Sequence, residues 1–205
     1  MSKPDLPYFV AIGASGGEGL DDIGDLLCLL AKPVQAVVMV VLHRPSDRIS
    51  HLQKVLSRRC HMQVVVASEA DSLVDGICYI GEPDGHLTLV AHHLASLVPG
   101  GGDQLRNRSI DTLFNSLAVY AGRQAIGIIL SGALDDGSRG LAAIHAAQGL
   151  TMVLDPGHKP RGMQQNAIDY DGPIGFIGTA RNIAERVDQV IAPAKGCGYS
   201  NIGSI

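Results

Sequence analysis

The chain has 205 residues, of which 46% are apolar and 18% are charged. This length fits one compact domain. A chain of this size buries about 70% of its unfolded surface, so it needs neither disulfide bonds nor a structural metal to form a core. Sixteen basic residues against twenty acidic ones leave a net charge of −4, which disfavours a nucleic-acid binder because such proteins present a basic surface.

The cysteines and the chain ends carry no recognised motif. The four cysteines form no Cys-x-x-Cys pair, which predicts reduced thiols and no zinc or redox motif. The first apolar stretch is too short for a signal peptide or a membrane span. We therefore expect a cytoplasmic protein without direct membrane insertion. Residues 1–192 are predicted to form the single domain, and residues 193–205, rich in Gly and Ser, a flexible C-terminal tail.

Strand and helix patterns alternate along the chain. Short apolar runs bounded by glycine or polar turns predict buried strands over residues 8–14, 36–42, 63–67, 125–130 and 150–154. Helical periodicity predicts helices over residues 19–31, 50–59, 110–121, 138–147 and 179–191. This alternation predicts an α/β fold, doubly wound, with a mainly parallel sheet and helices on both faces.

One segment breaks the alternation. Two β-prone runs, residues 76–80 and 87–90, are joined by a glycine-, proline- and aspartate-containing turn and predict one β-hairpin. Residues 99–108 contain almost no apolar side chain, so we expect a surface loop beside the site. Ser109 is a plausible N-cap for the helix that follows this loop.

Three polar side chains follow predicted strands. In open parallel sheets, ligands bind outside the carboxyl ends of the strands. Ser15, His43 and Asp136 lie at three such ends. A serine hydroxyl becomes a nucleophile when a histidine removes its proton, and a carboxylate fixes that histidine's tautomer. The set predicts a Ser-His-Asp triad, because triads are defined by their geometry and not by their chain order.

The turn after the first strand favours the same chemistry. Ser15 is flanked by small residues, which leaves room for a substrate carbonyl. The helix that follows presents unsatisfied amides at its N-terminus, and these stabilise a developing oxyanion. The Gly16 N–H is the first oxyanion donor that we predict. A second is expected from the turn over residues 132–134, which lies next to Asp136 in the chain.

Each of these residues has a structural alternative. The glycine-rich turn around Ser15 also fits a phosphate-binding turn of a nucleotide protein, although it lacks the full G-x-G-x-x-G pattern. His43 alone more often bonds a backbone carbonyl at a strand end. Asp135 and Asp136 also suit the turn and N-cap of the helix over residues 138–147. Their joint placement at three strand ends favours catalysis.

The other histidines carry no metal-binding pattern. None forms a His-x-x-x-His or Cys/His spacing with another residue, so no metal is predicted. His86 lies in the predicted hairpin connection. We consider it either a residue that borders the site or, more commonly for such a position, a solvated turn residue.

Five ordered segments together resemble the catalytic domain of the CheB-type chemotaxis protein-glutamate methylesterases. They are residues 12–17 (IGASGG), 41–45 (VLHRP), 79–86 (YIGEPDGH), 109–114 (SIDTLF) and 127–137 (GIILSGALDDG). The similarity extends over residues 8–191.

The resemblance implies that Ser15 is the nucleophile, that His43 is the general base and that Asp136, not Asp135, is the orienting carboxylate. The amides of Gly16 and Ala133 match the family's oxyanion positions.

The resemblance implies hydrolysis of glutamyl methyl esters on the cytoplasmic helices of methyl-accepting chemoreceptors. Methanol is released, no cofactor is required, and some members also deamidate glutamine. The partner is then a chemoreceptor and not a nucleic acid. Members usually carry an N-terminal receiver domain, and we expect none on this chain. The alternative function is a non-catalytic module that keeps the fold and binds the receptor or a signalling partner.

Several positions depart from the family pattern. The usual Gly-Met-Gly before the aspartate is Gly-Ala-Leu at residues 132–134, so leucine, which disfavours a positive φ, replaces a flexible glycine. Residues 106–108 and 162–167 also differ from the family's usual sequence. The resemblance places these segments near the rim of the site, where they bear on the identity of the substrate.

Overall fold

A computed structural model describes residues 7–44, 50–83, 85–91, 93–99, 108–158 and 160–192. The predicted C-terminal tail lies outside the described residues, and so does most of the predicted loop over residues 99–108. The described strands, in chain order, are β1 (Tyr8–Ser15), β2 (Ala36–His43), β3 (Gln63–Val66), β4 (Ile77–Ile80), β5 (Gly85–Val90), β6 (Leu94–Pro99), β7 (Ala125–Ile129), β8 (Leu150–Leu154) and β9 (Phe176–Gly178).

Seven of these strands form one parallel sheet in the order β3-β4-β2-β1-β7-β8-β9. The chain runs outward from β1 in one direction through β2 and in the other through β7. The carboxyl ends of β1 and β7 therefore border the topological switch point of the sheet, where open α/β sheets bind their ligands. Strands β5 and β6 form a separate antiparallel hairpin.

Helices cover both faces of the sheet. They are α1 (Gly16–Leu29), α2 (Leu52–Arg59), α3 (Ser109–Tyr120), α4 (Ser138–Ala146), α5 (Met163–Asp169) and α6 (Ala180–Ile191), with a 3₁₀ turn over Gly122–Gln124. One apolar core joins the sheet to α1, α2 and α6. The other joins it to α3, α4, α5 and the hairpin. The predicted doubly wound α/β fold is confirmed.

The alternation of side chains along β1 places Ser15 on the side of the sheet that α3 covers. Phe9 and Ala11 face the core that contains α3, while Val10 and Ile12 face the opposite core. Because side chains alternate along a strand, Ser15 belongs to the α3 side. Gly13 lies on that side too, where a Cβ would overlap Ile110, so glycine allows the start of α3 to approach the strand.

The pairing within the predicted hairpin is wrong. The run over residues 77–80 joins the parallel sheet as β4, between β3 and β2, and β5 pairs instead with β6. The last three residues of β4 are buried, which suits an interior strand of a parallel sheet better than a surface hairpin. The structure also contains β6, β9 and α5, which the sequence patterns do not predict.

The expected N-cap at Ser109 is also wrong. The helix begins at Ser109 itself. Arg108 occupies the N-cap position, and its side chain makes no capping hydrogen bond. Other predicted boundaries agree with the structure to within a few residues, and β8 has the bounds that its apolar run predicts.

Candidate active site

Ser15 and His43 end neighbouring strands. They are Cα partners in the parallel register of β1 and β2, so both side chains leave the sheet on the α3 face. Asp136 lies in the connection from β7, on the other side of β1, to α4. The structure therefore brings the three predicted residues to one edge of the sheet.

His43 and Asp136 form a short hydrogen-bonded pair. The distance from His43 Nε2 to Asp136 Oδ2 is 2.7 Å. Asp136 is buried, and the His43 side chain keeps 15% of its surface exposed. A carboxylate accepts from Nε2 only when that nitrogen carries the hydrogen, so in the neutral ring the lone pair lies on Nδ1.

The first turn of α3 fixes the Asp136 carboxylate. The amide of Ile110 donates to its Oδ2 at 2.9 Å, and the amide of Asp111 donates to its Oδ1 at 2.8 Å. Both amides are among those that a helix N-terminus leaves without an intrahelical partner, and that end of a helix favours negative charge. These two amides thus orient the Asp136 carboxylate independently of His43.

Asp111 is a second buried carboxylate that the sequence analysis missed. Its Oδ1 accepts from the amides of Gly137 at 3.0 Å and Gly140 at 2.7 Å, and Arg108 Nη1 lies 3.1 Å from its Oδ2. Burial raises the pKa of Asp111, and the charge of Asp136 raises this pKa further, against the hydrogen bonds. An acidic residue in the first turn of a predicted helix was the available signal.

The turn at Ser15 opens to the surface. The Ser15 side chain does not cap the helix that follows it, and its amide donates to the Ser131 carbonyl at 3.0 Å. Gly16 has a φ of +73°, and a Cβ at Gly16 or Gly17 would meet no atom within 4 Å. A substrate can therefore approach the Ser15 hydroxyl and the start of α1.

Gly132 packs directly on the other side of Ser15. A Cβ at Gly132 would lie 2.7 Å from the Ser15 Cβ and 2.9 Å from the Ser15 amide nitrogen. Ala133, the predicted second oxyanion position, follows in this turn. The Gly132 carbonyl accepts from the Met163 amide at 2.9 Å, so α5 supports the turn. This contact places the segment over residues 162–167 at the site.

Arg44 holds the end of β2 in place. Its guanidinium donates to the Gly81 carbonyl at 2.9 Å and to Ser50 Oγ at 3.0 Å, and it forms an ion pair with Glu82 at 3.0 Å. The Arg44 side chain is mostly buried. These bonds tie the residue after His43 to the end of β4 and thereby restrict the backbone of the histidine.

His86 is buried, so a solvated turn residue is the wrong interpretation. It lies in β5, and its Nδ1 has no hydrogen-bond partner among the residues that the structure describes. Burial lowers its pKa, the charge of His43 lowers this pKa further, and Asp136 raises it. Burial therefore favours the neutral form of the His86 imidazole over the charged form.

An apolar cavity of about 330 Å³ adjoins the candidate site. It lies where α1 begins and α2 packs beside it, and its edge includes the site residues Gly16 and His43. Its wall is mainly aliphatic, formed by Leu20, Leu42, Leu52 and Val55.

The described part of the chain shows neither a candidate metal cluster nor a candidate membrane span. It contains no group of three or more His, Cys, Asp or Glu residues that could hold a metal ion. None of the helices in these ranges is long and apolar enough to cross a membrane.

A protein-family model described as CheB methylesterase matches residues 10–187 of the chain. The chain belongs to the CheB methylesterase family. Two relatives of this family are a protein-glutamate methylesterase/protein-glutamine glutaminase 3 from Rhodopseudomonas palustris, 35% identical over 160 residues, and a protein-glutamate methylesterase/protein-glutamine glutaminase 1 from Chromobacterium violaceum, 34% identical over 167 residues. The alignments cover 75% and 80% of this chain, but only 43% and 46% of the relatives.

The chain shares its fold with a solved structure of a CheB methylesterase catalytic domain. The catalytic domain of the Thermotoga maritima CheB methylesterase superposes with a TM-score of 0.81, at 24% identity, over 90% of this chain and 99% of that chain. This likeness establishes the shared fold. The chain spans less than half the length of the curated relatives that it matches.

Proposed function

We propose that the chain is a serine esterase that hydrolyses glutamyl methyl esters on chemoreceptors. The observation that carries the proposal is the 2.7 Å bond between His43 Nε2 and the buried carboxylate of Asp136, at a strand end in register with Ser15. A phosphate-binding turn would require no such pair. A purely structural strand-end histidine would bond a backbone carbonyl rather than a carboxylate.

The first half of the reaction forms an acyl-enzyme. Ser15 Oγ attacks the γ-carbonyl carbon of the methylated glutamate, and the hydroxyl proton passes to Nδ1 of His43, the nitrogen that Asp136 leaves free. Asp136 stabilises the imidazolium that results. The tetrahedral intermediate then collapses, its C–O bond to the methoxy group breaks, and His43 returns the proton so that methanol leaves.

The negative charge of the intermediate lies on the former carbonyl oxygen. The amides of Gly16, at the start of α1, and of Ala133, in the turn that packs on Ser15, are the donors that we assign to it. Such a pair of donors lowers the barrier because it is in place before the charge develops. The removal of one donor typically reduces kcat by about 10²–10³-fold.

The second half of the reaction requires only water. A water molecule gives its proton to His43 Nδ1 and attacks the acyl carbon, the bond to Ser15 Oγ breaks, and the free glutamate leaves as Ser15 regains its proton. The same steps on a glutamine side chain release ammonia. Deamidation is the second candidate function, and the relatives named protein-glutamate methylesterase/protein-glutamine glutaminase favour it.

Methanol release from membranes that carry methylated chemoreceptors tests the proposal. The native chain is compared with Ser15→Ala, which removes the nucleophile but keeps the small turn, and both proteins are checked for equal thermal stability. We expect release by the native chain and a loss of several orders of magnitude in the variant, because the members of a triad act as a unit.

Two results would contradict this mechanism. Equal release by both proteins would show that Ser15 is not the nucleophile. Stable receptor binding by both folded proteins, without methanol release by either, would favour the non-catalytic binding module instead.

A further inference from the structure

Leu134 combines two features that are unfavourable for the isolated chain. Its φ is +72°, in the left-handed region that non-glycine residues avoid because Cβ crowds the backbone. The residue is 61% exposed. Burial of the side chain therefore does not account for leucine at this position, and glycine or asparagine would adopt the same backbone conformation with less strain.

The surrounding structure holds this backbone conformation. Asn166 Nδ2, on α5, donates to the Leu134 carbonyl at 2.6 Å. The amide of Met163, also on α5, donates to the carbonyl of Gly132, which lies two residues before Leu134. The turn is thus fastened to α5 at two points, and the Leu134 side chain is left on the outer surface. Strained residues that persist in this way concentrate at active sites and at ligand contacts.

Leu134 lies in the turn that borders Ser15, so its exposed side chain is part of the surface around the candidate site. Gly132, which packs on Ser15, is two residues before it, and Asp136, which binds His43, is two residues after it. A macromolecule that delivers an ester to Ser15 has to lie against this turn. A small ester such as p-nitrophenyl acetate brings no neighbouring side chains to the site, so it cannot make the contact that a receptor helix would make with this turn.

We propose that Leu134 determines specificity by contacting an apolar side chain of the substrate polypeptide beside the methylated glutamate. This inference rests on the proposed function, in which the substrate is a receptor helix. Side chains three or four residues apart share one face of a helix. An apolar residue one turn from the ester would therefore meet Leu134, which contributes affinity for the receptor and does not take part in the chemistry.

Three variants separate this contact from the backbone strain. Leu134→Gly and Leu134→Asn both tolerate a positive φ and remove the apolar surface, whereas Leu134→Met keeps an apolar side chain. Val119→Asn is the control, because Val119 is an exposed apolar residue on α3. Each protein is assayed for thermal stability, for hydrolysis of p-nitrophenyl acetate and for methanol release from methylated receptor membranes.

We expect the Gly and Asn variants to be as stable as the native chain or more stable, with an unchanged kcat/KM for p-nitrophenyl acetate. Their KM for the receptor should rise about tenfold, the lower end of what one lost apolar contact produces, with kcat within twofold. The Met variant and Val119→Asn should keep the native KM. An unchanged receptor KM in the Gly and Asn variants would overturn the proposal.

Failure of the proposed function gives a different pattern. If the native chain hydrolyses p-nitrophenyl acetate but releases no methanol from methylated receptors, both the receptor substrate and the role of Leu134 are wrong. If the native chain releases methanol and the Gly and Asn variants match it, only the role of Leu134 is wrong.

Discussion

Asp136 and Asp111 cap two helices reciprocally, because each carboxylate accepts amides at the N-terminal end of the segment that carries the other. The Asp136 carboxylate, just before α4, accepts the amides of Ile110 and Asp111 in the first turn of α3. The Asp111 carboxylate in turn accepts the amides of Gly137 and Gly140 at the start of α4. This exchange satisfies four amides at two helix N-termini and fixes the orientation of the carboxylate that binds His43.

Asp136→Asn is expected to lower kcat by about 10³–10⁴-fold while the fold is kept, because an amide no longer holds His43 in the tautomer that places the lone pair on Nδ1. Hydrolysis of p-nitrophenyl acetate and circular dichroism check the two statements. Asp135→Asn is the matched control, since Asp135 is an exposed neighbour with the same chemistry. Equal losses in the two variants would refute the assignment of Asp136.

Asp111→Ala is expected to lower the free energy of unfolding by about 3 kcal/mol, because it leaves the buried amides of Gly137 and Gly140 without an acceptor. Urea denaturation measures this loss. Asp169→Ala is the control: its ion pair with Arg161 is substantially exposed, so the change should stay below about 1 kcal/mol. A similarly small loss at Asp111 would show that the exchange of caps contributes little.

The sequence predicts the candidate triad because the ends of parallel strands gather at one edge of the sheet, whatever the details of the packing. Ser15, His43 and Asp136 follow strands with strong apolar patterns, so their positions follow from the fold class alone. His86 and Asp111 do not, because their burial depends on how the hairpin and α3 pack on the sheet. The place of Asp111 in the first turn of a predicted helix indicates a charge at a helix terminus, but the local sequence around neither residue encodes its burial.

The same reasoning explains the errors in the fold. The apolar run of β4 suits a hairpin strand and a buried parallel strand equally well, and only its partners decide between them. α5 is short and largely polar, and its place is set by contacts with the turn over residues 132–134. The true cap of α3 comes from Asp136, 26 residues beyond Ile110 in the chain, which no local cap signal at Ser109 reveals.

Gly132→Ala is expected to reduce kcat by at least about 100-fold, because the new methyl group would displace the Ser15 backbone and side chain that Gly132 touches. Overpacking of this kind also lowers the free energy of unfolding by about 1–3 kcal/mol. Gly85→Ala is the control, since a Cβ there makes only an ordinary contact with Leu97. Kinetics with p-nitrophenyl acetate and urea denaturation measure both effects. Native activity in Gly132→Ala would mean that Ser15 can move without loss of function.

Acid should destabilise the fold through His86. Its pKa in the folded protein lies below the ordinary value of 6.5, chiefly because the ring is buried. Between these two pKa values the unfolded chain binds more protons than the folded one, so the stability that His86 contributes is fully present above about pH 6.5 and is lost as the pH falls through the folded pKa. The free energy of unfolding, measured by urea denaturation from pH 7.5 down to pH 5, should decline accordingly.

In His86→Leu this decline should be smaller, because the group that titrates differently in the two states is gone. His145→Gln, at an exposed position on α4, should keep the native slope, and an equal slope in all three proteins would contradict the assignment to His86.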